Sequence, residues 1–205
     1  MRAYTTHLAP YLRQWSRRRY RQPKHLRSLL ATLPPDARVL DLGSGPGQDA
    51  RFLRRQGYTV VGVDLTWAML RHARRRSRRL FLVQADLRNL PFRSDHPFEA
   101  VWAAASLIHL PKRALPAVLR AFRRIVGPAG TLGATLLHGR GAGYLRAGWI
   151  PDRYCSRWHK AELARAVRQA KWEILSLTTV ANRERKGRWL NLLARAPLGR
   201  SPRFR

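Results

Sequence analysis

A chain of 205 residues with 45% apolar residues, among them seven Trp, six Tyr and six Phe, has room for one full α/β core with additions and enough apolar material to exclude global disorder. Its formal net charge of +30 is far from an ordinary balanced surface, so runs such as Arg17 to Arg21 and Arg71 to Arg79 need solvent, counterions or a polyanionic partner. No apolar run reaches the roughly 18 residues of a membrane span, and the lone Cys155 excludes an internal disulfide framework and a multi-thiolate zinc site.

The charge has two parts. Lysine stands only at Lys24, Lys112, Lys160, Lys171 and Lys186, an arginine preference that a GC-rich genome produces; the scarcity of acids has no such origin. One cysteine fits a reducing, cytoplasmic setting, and the first fifteen residues lack the apolar core and cleavage site of a secretory signal. His7, His25, His72, His96, His138 and His159 form no zinc spacing with another ligand, so no metal is expected.

In chain order, residues 1–33 alternate aromatic and basic side chains around Tyr4, Tyr11, Trp15 and Tyr20 before a helical stripe at Leu26, Leu29, Leu30 and Leu33, which predicts two or three helices. After a Pro-Pro-Asp turn, "RVLDLG" reads as a buried strand that opens a glycine loop, and "QDARFLRRQG" as a helix ending at Gly57. "YTVVGVD", "TWAMLRHARRRS" and "RLFLVQAD" continue as strand, helix and strand, and "FEAVWAAASLI" is a fourth strand. "LPAVLRAFRRIV" carries Leu115, Val118, Leu119, Phe122, Ile125 and Val126 on one helical stripe, with Pro116 tolerable in the first turn; "GPAG" ends it and "TLGATLLH" is a fifth strand. A Gly-rich, aromatic stretch from Gly139 to Trp158 is too long for an ordinary connection and reads as a lid. "HKAELARAVRQA" is a helix, and "KWEILSLTTV" and "GRWLNLLARA" form a hairpin.

Strands alternating with helices predict a mostly parallel, doubly wound α/β sheet. One domain is expected over 1–205: a helical cap at 1–35, a core at 36–138, and the lid, helix and hairpin at 139–205.

The glycine loop "VLDLGSGPGQDA" has three readings: a dinucleotide site, a phosphate loop, or a plain tight turn. A phosphate loop fails because no "GK[ST]" follows. The dinucleotide fingerprint puts glycines at relative positions 1, 3 and 6, whereas Gly43, Gly45 and Gly47 bring the third one place early. Electrostatics separates the readings further. Asp41 before the loop and Asp49 in the first helical turn both oppose a pyrophosphate at the helix N-terminus. A phosphate-free ligand with an ammonium and a sulfonium, such as S-adenosylmethionine, is instead attracted. Asp41, Asp64 and Asp86 each close a successive strand and so line the carboxyl edge, where open α/β sheets bind ligands. Asp49 reads equally as a dipole-favouring helix cap or a ligand contact.

"VLDLGSGPG", "VVGVDLTWAML", "VQADLRNLPF" and the run from "FEAVWAAASLIHL" to "RRIVGPAGTL" resemble, in order and spacing, the motifs of class I S-adenosylmethionine-dependent methyltransferases. The resemblance runs from Val39 to His138, with a family-like tail to Pro197. It implies a seven-stranded Rossmann-like fold ending in an antiparallel hairpin, and S-adenosyl-L-methionine as cofactor. By resemblance, Asp41, Gly43, Ser44, Gly45 and Gly47 hold the methionine moiety and Asp64 the ribose. Asp86 and the Leu87 amide hold the adenine, Leu65 packs on its face, and Ala104 lines the site from the fourth strand.

The acceptor side is less defined. "AAASLIHLP" replaces the "[ND]PP[YF]" of many amino-directed nucleic-acid methyltransferases, which weakens an exocyclic-amine target and leaves ribose, small molecules and protein side chains open; with the positive charge spread over most segments, the small-molecule acceptor is favoured. His109, just past the fourth strand, is the candidate general base, its alternative being a loop-ordering histidine. Tyr4, Tyr11 and Trp15 read as packing first and acceptor wall second, while Tyr144, Trp149, Tyr154 and Trp158 are candidate walls in the lid. Arg71, Arg74, Arg75 and Arg78 at i, i+3, i+4 and i+7 offer a face to RNA or to another acidic partner, or are solvated like the rest of the chain; a non-catalytic nucleic-acid-binding module is a third reading. The pattern carries no expectation of oligomeric state.

Overall fold

The computed structural model describes residues 2–16, 20–146, 150–182 and 187–198. Three helices come first: α1 (Arg2–Thr6), α2 (Leu8–Ser16) and α3 (Lys24–Leu30), the last burying Leu26 and Leu29 from the predicted stripe.

The strand–helix alternation then unfolds as the periodicity predicts: β1 (Arg38–Leu42), α4 (Gln48–Arg55), β2 (Thr59–Asp64), α5 (Trp67–Arg76), β3 (Phe81–Gln84) and β4 (Phe98–Ala104). Adjacent strands β3, β2, β1 and β4 are parallel, with Asp41 of β1 level with Gly62 of β2 and Trp102 of β4. A central parallel strand is covered on both faces. In β1, Val39 packs with Leu26, Leu53 and Trp102, while Leu40 and Leu42 pack on the opposite side with Leu119 and Phe122.

A 3-10 turn (Leu107–His109) leaves β4, and α6 (Leu115–Ile125) buries Leu115, Val118, Leu119, Phe122 and Ile125, the stripe read from sequence. Each such side chain contributes about 1.5–3 kcal/mol by leaving water. β5 (Val126–His138) begins five residues earlier than predicted. "GPAG" does not end the helix with a separate loop; it runs on as extended chain, with Ala129 at φ 60° and a register shift opposite Phe98–Ala100. Such a bulge absorbs the Pro and Gly residues that mimic a break in sequence.

The predicted lid is also a sheet element. β6 (Ala142–Leu145) and β7 (Arg153–Trp158) form an antiparallel hairpin, followed by α7 (Lys160–Gln169), β8 (Glu173–Asn182) and β9 (Gly187–Arg195). β9 lies antiparallel between β5 and β8, which is the expected C-terminal hairpin. The sheet therefore has nine strands among the described residues, two more than expected. Leu137 of β5 pairs with Trp189 of β9 on one edge, so its pairing with Arg157 puts β7 on the other edge. That is the edge of β4, and β7 stands just beyond where β4 ends at Ala104. No helix among the described residues is long and apolar enough to cross a membrane.

Candidate active site

The loop after β1 folds back onto the end of β2. The amides of Gly43 and Ser44 both donate to the Val63 carbonyl, at 2.7 and 2.9 Å. Gly43 has φ 73°, and a Cβ there would stand 2.4 Å from Cβ of Ser106, the residue two past β4. Only glycine combines that backbone with that approach. The Asp64 carboxylate closes the other side: Oδ2 accepts from the Gly45 amide at 2.9 Å and Oδ1 from the Thr66 amide at 2.7 Å. Burial raises the Asp64 pKa, against the lowering effect of these amides.

Asp41 lies beneath this loop, 2% exposed, with Oδ2 unpartnered. Its pKa stands well above the usual carboxylate range because of burial first, then the charges of Asp49 and Asp64, with an amide of Ala50 opposing. The hydroxyls of Ser44 and Ser106 are likewise buried and unpartnered. Three buried polar atoms without partners within one loop and its neighbour are unusual, because each costs on the order of 1–3 kcal/mol. They are atoms that a polar or cationic ligand would fit.

Asp49 takes a role the sequence reading did not weigh. Its carboxylate accepts from Tyr20 Oη at 2.6 Å and from Trp102 Nε1 at 2.7 Å, tying α4 to β4 and to the chain ahead of α3. Nothing around Asp49 in the sequence signalled Trp102 as a partner, since the two are 53 residues apart. Asp86, expected to close β3, stands two residues past its end at Gln84, and Arg88 folds back on it: Nη2 donates to Oδ2 at 2.6 Å and the Arg88 amide to Oδ1 at 2.8 Å. The Arg88 side chain lowers the Asp86 pKa. Leu65, Leu87 and Ala104 are half-buried near the strand ends, and Gln84 Nε2 donates to the Leu65 carbonyl at 3.1 Å.

The acceptor side is assembled from three distant segments. His109 in the 3-10 turn is half-buried; its Nδ1 lies 2.8 Å from the Tyr154 carbonyl of β7, and its Nε2 2.8 Å from Tyr4 Oη of α1. A carbonyl only accepts, so Nδ1 carries the proton, and the bare Nε2 accepts from the Tyr4 hydroxyl. Burial lowers the His109 pKa to about 4, opposed by the Tyr154 carbonyl and reinforced by the charge of Arg153. The ring is neutral at pH 7. Tyr4 also meets Tyr11 edge-on at 5.9 Å, and burial raises its phenol pKa.

The predicted aromatic walls divide. Tyr144 and Tyr154 meet edge-on at 5.7 Å on the hairpin, but Trp158 is core: its Nε1 donates to Ser156 Oγ and Lys112 Nζ lies 5.1 Å from its ring. The side chain of Trp15 and all of Trp149 lie outside the described residues. The basic face is shorter than predicted. Helix α5 stops at Arg76, so Arg78 lies past its end, where its carbonyl accepts from Arg74 Nη1 at 2.8 Å. Arg71, Arg74 and Arg75 are exposed. Among the described residues no group of three His, Cys, Asp or Glu is placed to hold a metal ion.

A parallel sheet ordered β3-β2-β1-β4-β5, extended by an antiparallel β9 and β8, with a glycine loop at β1 and acids near three strand ends, is the class I S-adenosylmethionine-dependent methyltransferase fold. A family model described as a methyltransferase domain matches residues 39–130. Methyltransferase GfsG of Streptomyces halstedii is 32% identical over 161 residues, covering 72% of this chain and 57% of that protein. Malonyl-[acyl-carrier protein] O-methyltransferase of Enterobacter lignolyticus is 35% identical over 124 residues, covering 60% and 48%. The chain thus spans about half the length of these relatives. In fold it is similar to a SAM-dependent methyltransferase of Methanosarcina mazei, with TM-score 0.74 at 17% identity, over 83% of this chain and 97% of that one. A Burkholderia thailandensis 1,6-didemethyltoxoflavin-N1-methyltransferase, solved with S-adenosylhomocysteine bound, gives TM-score 0.70 at 24% identity, over 84% and 76%. The chain thus has the class I S-adenosylmethionine-dependent methyltransferase fold, and its residues 39–130 match a methyltransferase domain.

The residues present fit that cofactor. The buried, unpartnered Asp41 Oδ2 and the Ser44 and Ser106 hydroxyls suit an ammonium and its carboxylate, and the backbone at Gly43 leaves no Cβ in the way. Each oxygen of Asp64 accepts one amide, which leaves lone pairs for ribose hydroxyls. Asp86 fits an adenine amine only when Arg88 releases it.

Proposed function

We propose that this chain transfers a methyl group from S-adenosyl-L-methionine to a small-molecule acceptor. The observation that carries the reading is Asp41: a buried carboxylate with an unpartnered oxygen, under a glycine loop that has no room for a side chain at Gly43, on the edge that also holds Asp64. An acid so placed repels phosphates and is relieved by a cation. The names of its relatives, which include trans-aconitate 2-methyltransferase of Azoarcus sp., 40% identical over 112 residues, support a small acceptor.

When bound, the cofactor supplies an electrophilic methyl group, whose carbon–sulfur bond breaks as the acceptor's lone pair bonds to carbon and sulfur keeps the electron pair. In this reading Asp41 holds the ammonium, the backbone of Gly43, Ser44, Gly45 and Gly47 passes close under the methionine end with the Ser44 hydroxyl facing it, and Asp64 takes the ribose. Leu65, Asp86, Leu87 and Ala104 surround the adenine and the mouth of the site. His109 acts as a positioning residue. Its low basicity makes it a poor proton remover at pH 7, while its fixed tautomer holds the Tyr4 hydroxyl in one orientation. The buried, unpaired Cys155 supports a reducing, cytoplasmic setting, and the chain acts as one domain over 1–205.

Titration with S-adenosylhomocysteine tests the cofactor assignment: micromolar binding is expected, with Asp64→Ala weakening it at least tenfold. No binding, or binding unchanged by Asp64→Ala, contradicts it. A screen of acceptor classes with methyl-labelled cofactor then identifies the product. A nucleic-acid acceptor is the second reading, favoured by the exposed arginines of α5, whose charges with Arg51 also depress the His72 pKa after burial does. RNA affinity that falls steeply between two salt concentrations would support it.

A further inference from the structure

One cation on the acceptor side has no acid to answer it. Arg153 opens β7, and its Nε is buried without a hydrogen-bond partner. None of the ion pairs among the described residues includes it. Its guanidinium reaches the sulfur of Cys155, on the same face of β7, and a thiol is a weak acceptor. A guanidinium stays charged even when buried, so it cannot escape by losing a proton. A buried donor left unmatched is as costly as the unmatched acceptor of Asp41.

Its place in the fold says what it waits for. The neighbouring residue, Tyr154, takes the His109 Nδ1 proton on its carbonyl, and His109 in turn receives the Tyr4 hydroxyl. The Tyr4 phenol feels the charges of both Arg153 and Asp64, which push it in opposite directions. Tyr4 is therefore near enough to both the guanidinium and the ribose-side acid to feel each charge. Carboxylates at the glycine loop and an unanswered guanidinium on β7 suit two ligands of opposite charge: a cationic donor on the acids and an anionic acceptor on the arginine.

Resting on the methyltransferase reading above, we propose that the acceptor is a carboxylate-bearing small molecule, whose carboxylate is seated on Arg153 beside the Tyr4 hydroxyl. One planar guanidinium matches one planar carboxylate in a bidentate fork. A phosphate dianion is better matched by two cations than by one fork, so the acid and phosphate arms of the test separate the two anions.

The test is calorimetric titration of the S-adenosylhomocysteine-loaded protein with glutarate, hexanoate and benzoate, with their primary amides as neutral counterparts and inorganic phosphate as the competing anion. At least one acid is expected to bind at millimolar concentration. Its amide should bind at least tenfold more weakly, phosphate more weakly than the acid, and Arg153→Gln should lose on the order of 10- to 100-fold with S-adenosylhomocysteine affinity unchanged. Arg153→Lys, which keeps the charge but not the fork, should retain part of the affinity. Absence of binding by all three acids, equal binding of an amide, tighter binding of phosphate, or an Arg153→Gln protein that binds the acid like wild type overturns the proposal. If Arg153→Gln does not fold, the acid-against-amide comparison in wild type decides. Failure of wild type to bind S-adenosylhomocysteine overturns the methyltransferase reading instead, and the same acid-against-amide comparison on the ligand-free protein then decides Arg153 separately.

Discussion

The two sides of the site carry opposite surpluses. On the cofactor edge, Asp41, Asp49 and Asp64 crowd three carboxylates under one glycine loop, and the atom left without a partner is an oxygen. On the hairpin side, a neutral His109, a protonated Tyr4 and a charged Arg153 meet, and the atom left without a partner is a guanidinium nitrogen. Burial acts in both places but moves the groups differently. It raises the aspartates, which gain by being neutral, and lowers the histidine, which also gains by being neutral. In the reading proposed above, the difference teaches how a chain of such strong positive charge would hold a cation: local acids, shielded from the surface arginines by burial, set the potential at the site, and the net charge does not.

Perturbing each side alone breaks the comparison in a predictable order. Gly43→Ala comes first, because it adds a left-handed backbone penalty to a Cβ overlap with Ser106; we expect a loss on the order of 4 kcal/mol in denaturant unfolding. Next is the pH dependence of stability. His109 is protonated in the unfolded chain below 6.5 and in the folded chain only below about 4, so its contribution rises as pH rises through that window, by about 3 kcal/mol. His109→Gln should flatten that rise. Asp41 and Asp64 have the opposite sign. Their folded-state pKa values lie above the unfolded value of 3.8, so the folded chain binds more protons there and stability falls as pH rises above it. Urea midpoints of wild type, His109→Gln and Asp41→Asn across pH 4 to 7 separate the two slopes; parallel curves for all three would mean that the sides do not differ as described.

A smaller effect sharpens the cofactor edge itself. If a cation binds to ionised Asp41, binding releases protons, and affinity for S-adenosylmethionine should rise by up to about tenfold per pH unit above 3.8 until Asp41 is ionised in the free protein. The smallest concerns Arg88, whose pair with Asp86 is largely exposed, with the arginine side chain 63% accessible. Arg88→Ala should leave stability within about 1 kcal/mol and improve S-adenosylhomocysteine affinity by no more than a few-fold, by freeing the carboxylate for the adenine amine.

The cofactor edge was far more legible in the sequence than the acceptor side, and the reason is local. Asp41, Asp64 and Asp86 each follow a short apolar run that reads as a strand, so their gathering near one edge follows from strand order. They are staggered there, with Asp41 inside β1 level with Gly62 and Asp86 two residues past β3. Asp49 shows where that ends: its position near a helix start was readable, but its bonds to Tyr20 and Trp102 depend on how α4 packs on β4. The acceptor side has no local signature. Tyr4, His109 and Arg153 come from three segments about a hundred and then 44 residues apart, and they meet only because β7 joins the β4-side edge of β5. The same hairpin reads as a lid because its glycines and aromatics conceal the period-two pattern, and "GPAG" reads as a break because a bulge tolerates residues that a regular strand rejects.

The account stands most directly on Asp41. Calorimetric titration of S-adenosylmethionine into wild type and Asp41→Asn should give micromolar binding for the first and a loss on the order of 30-fold or more for the second, with the unfolding midpoint of the variant no lower than that of wild type, since a buried, unpartnered charge has been removed. Equal affinity in the two proteins, or no binding by wild type, would contradict the claim that this buried carboxylate is the seat of a cationic methyl donor.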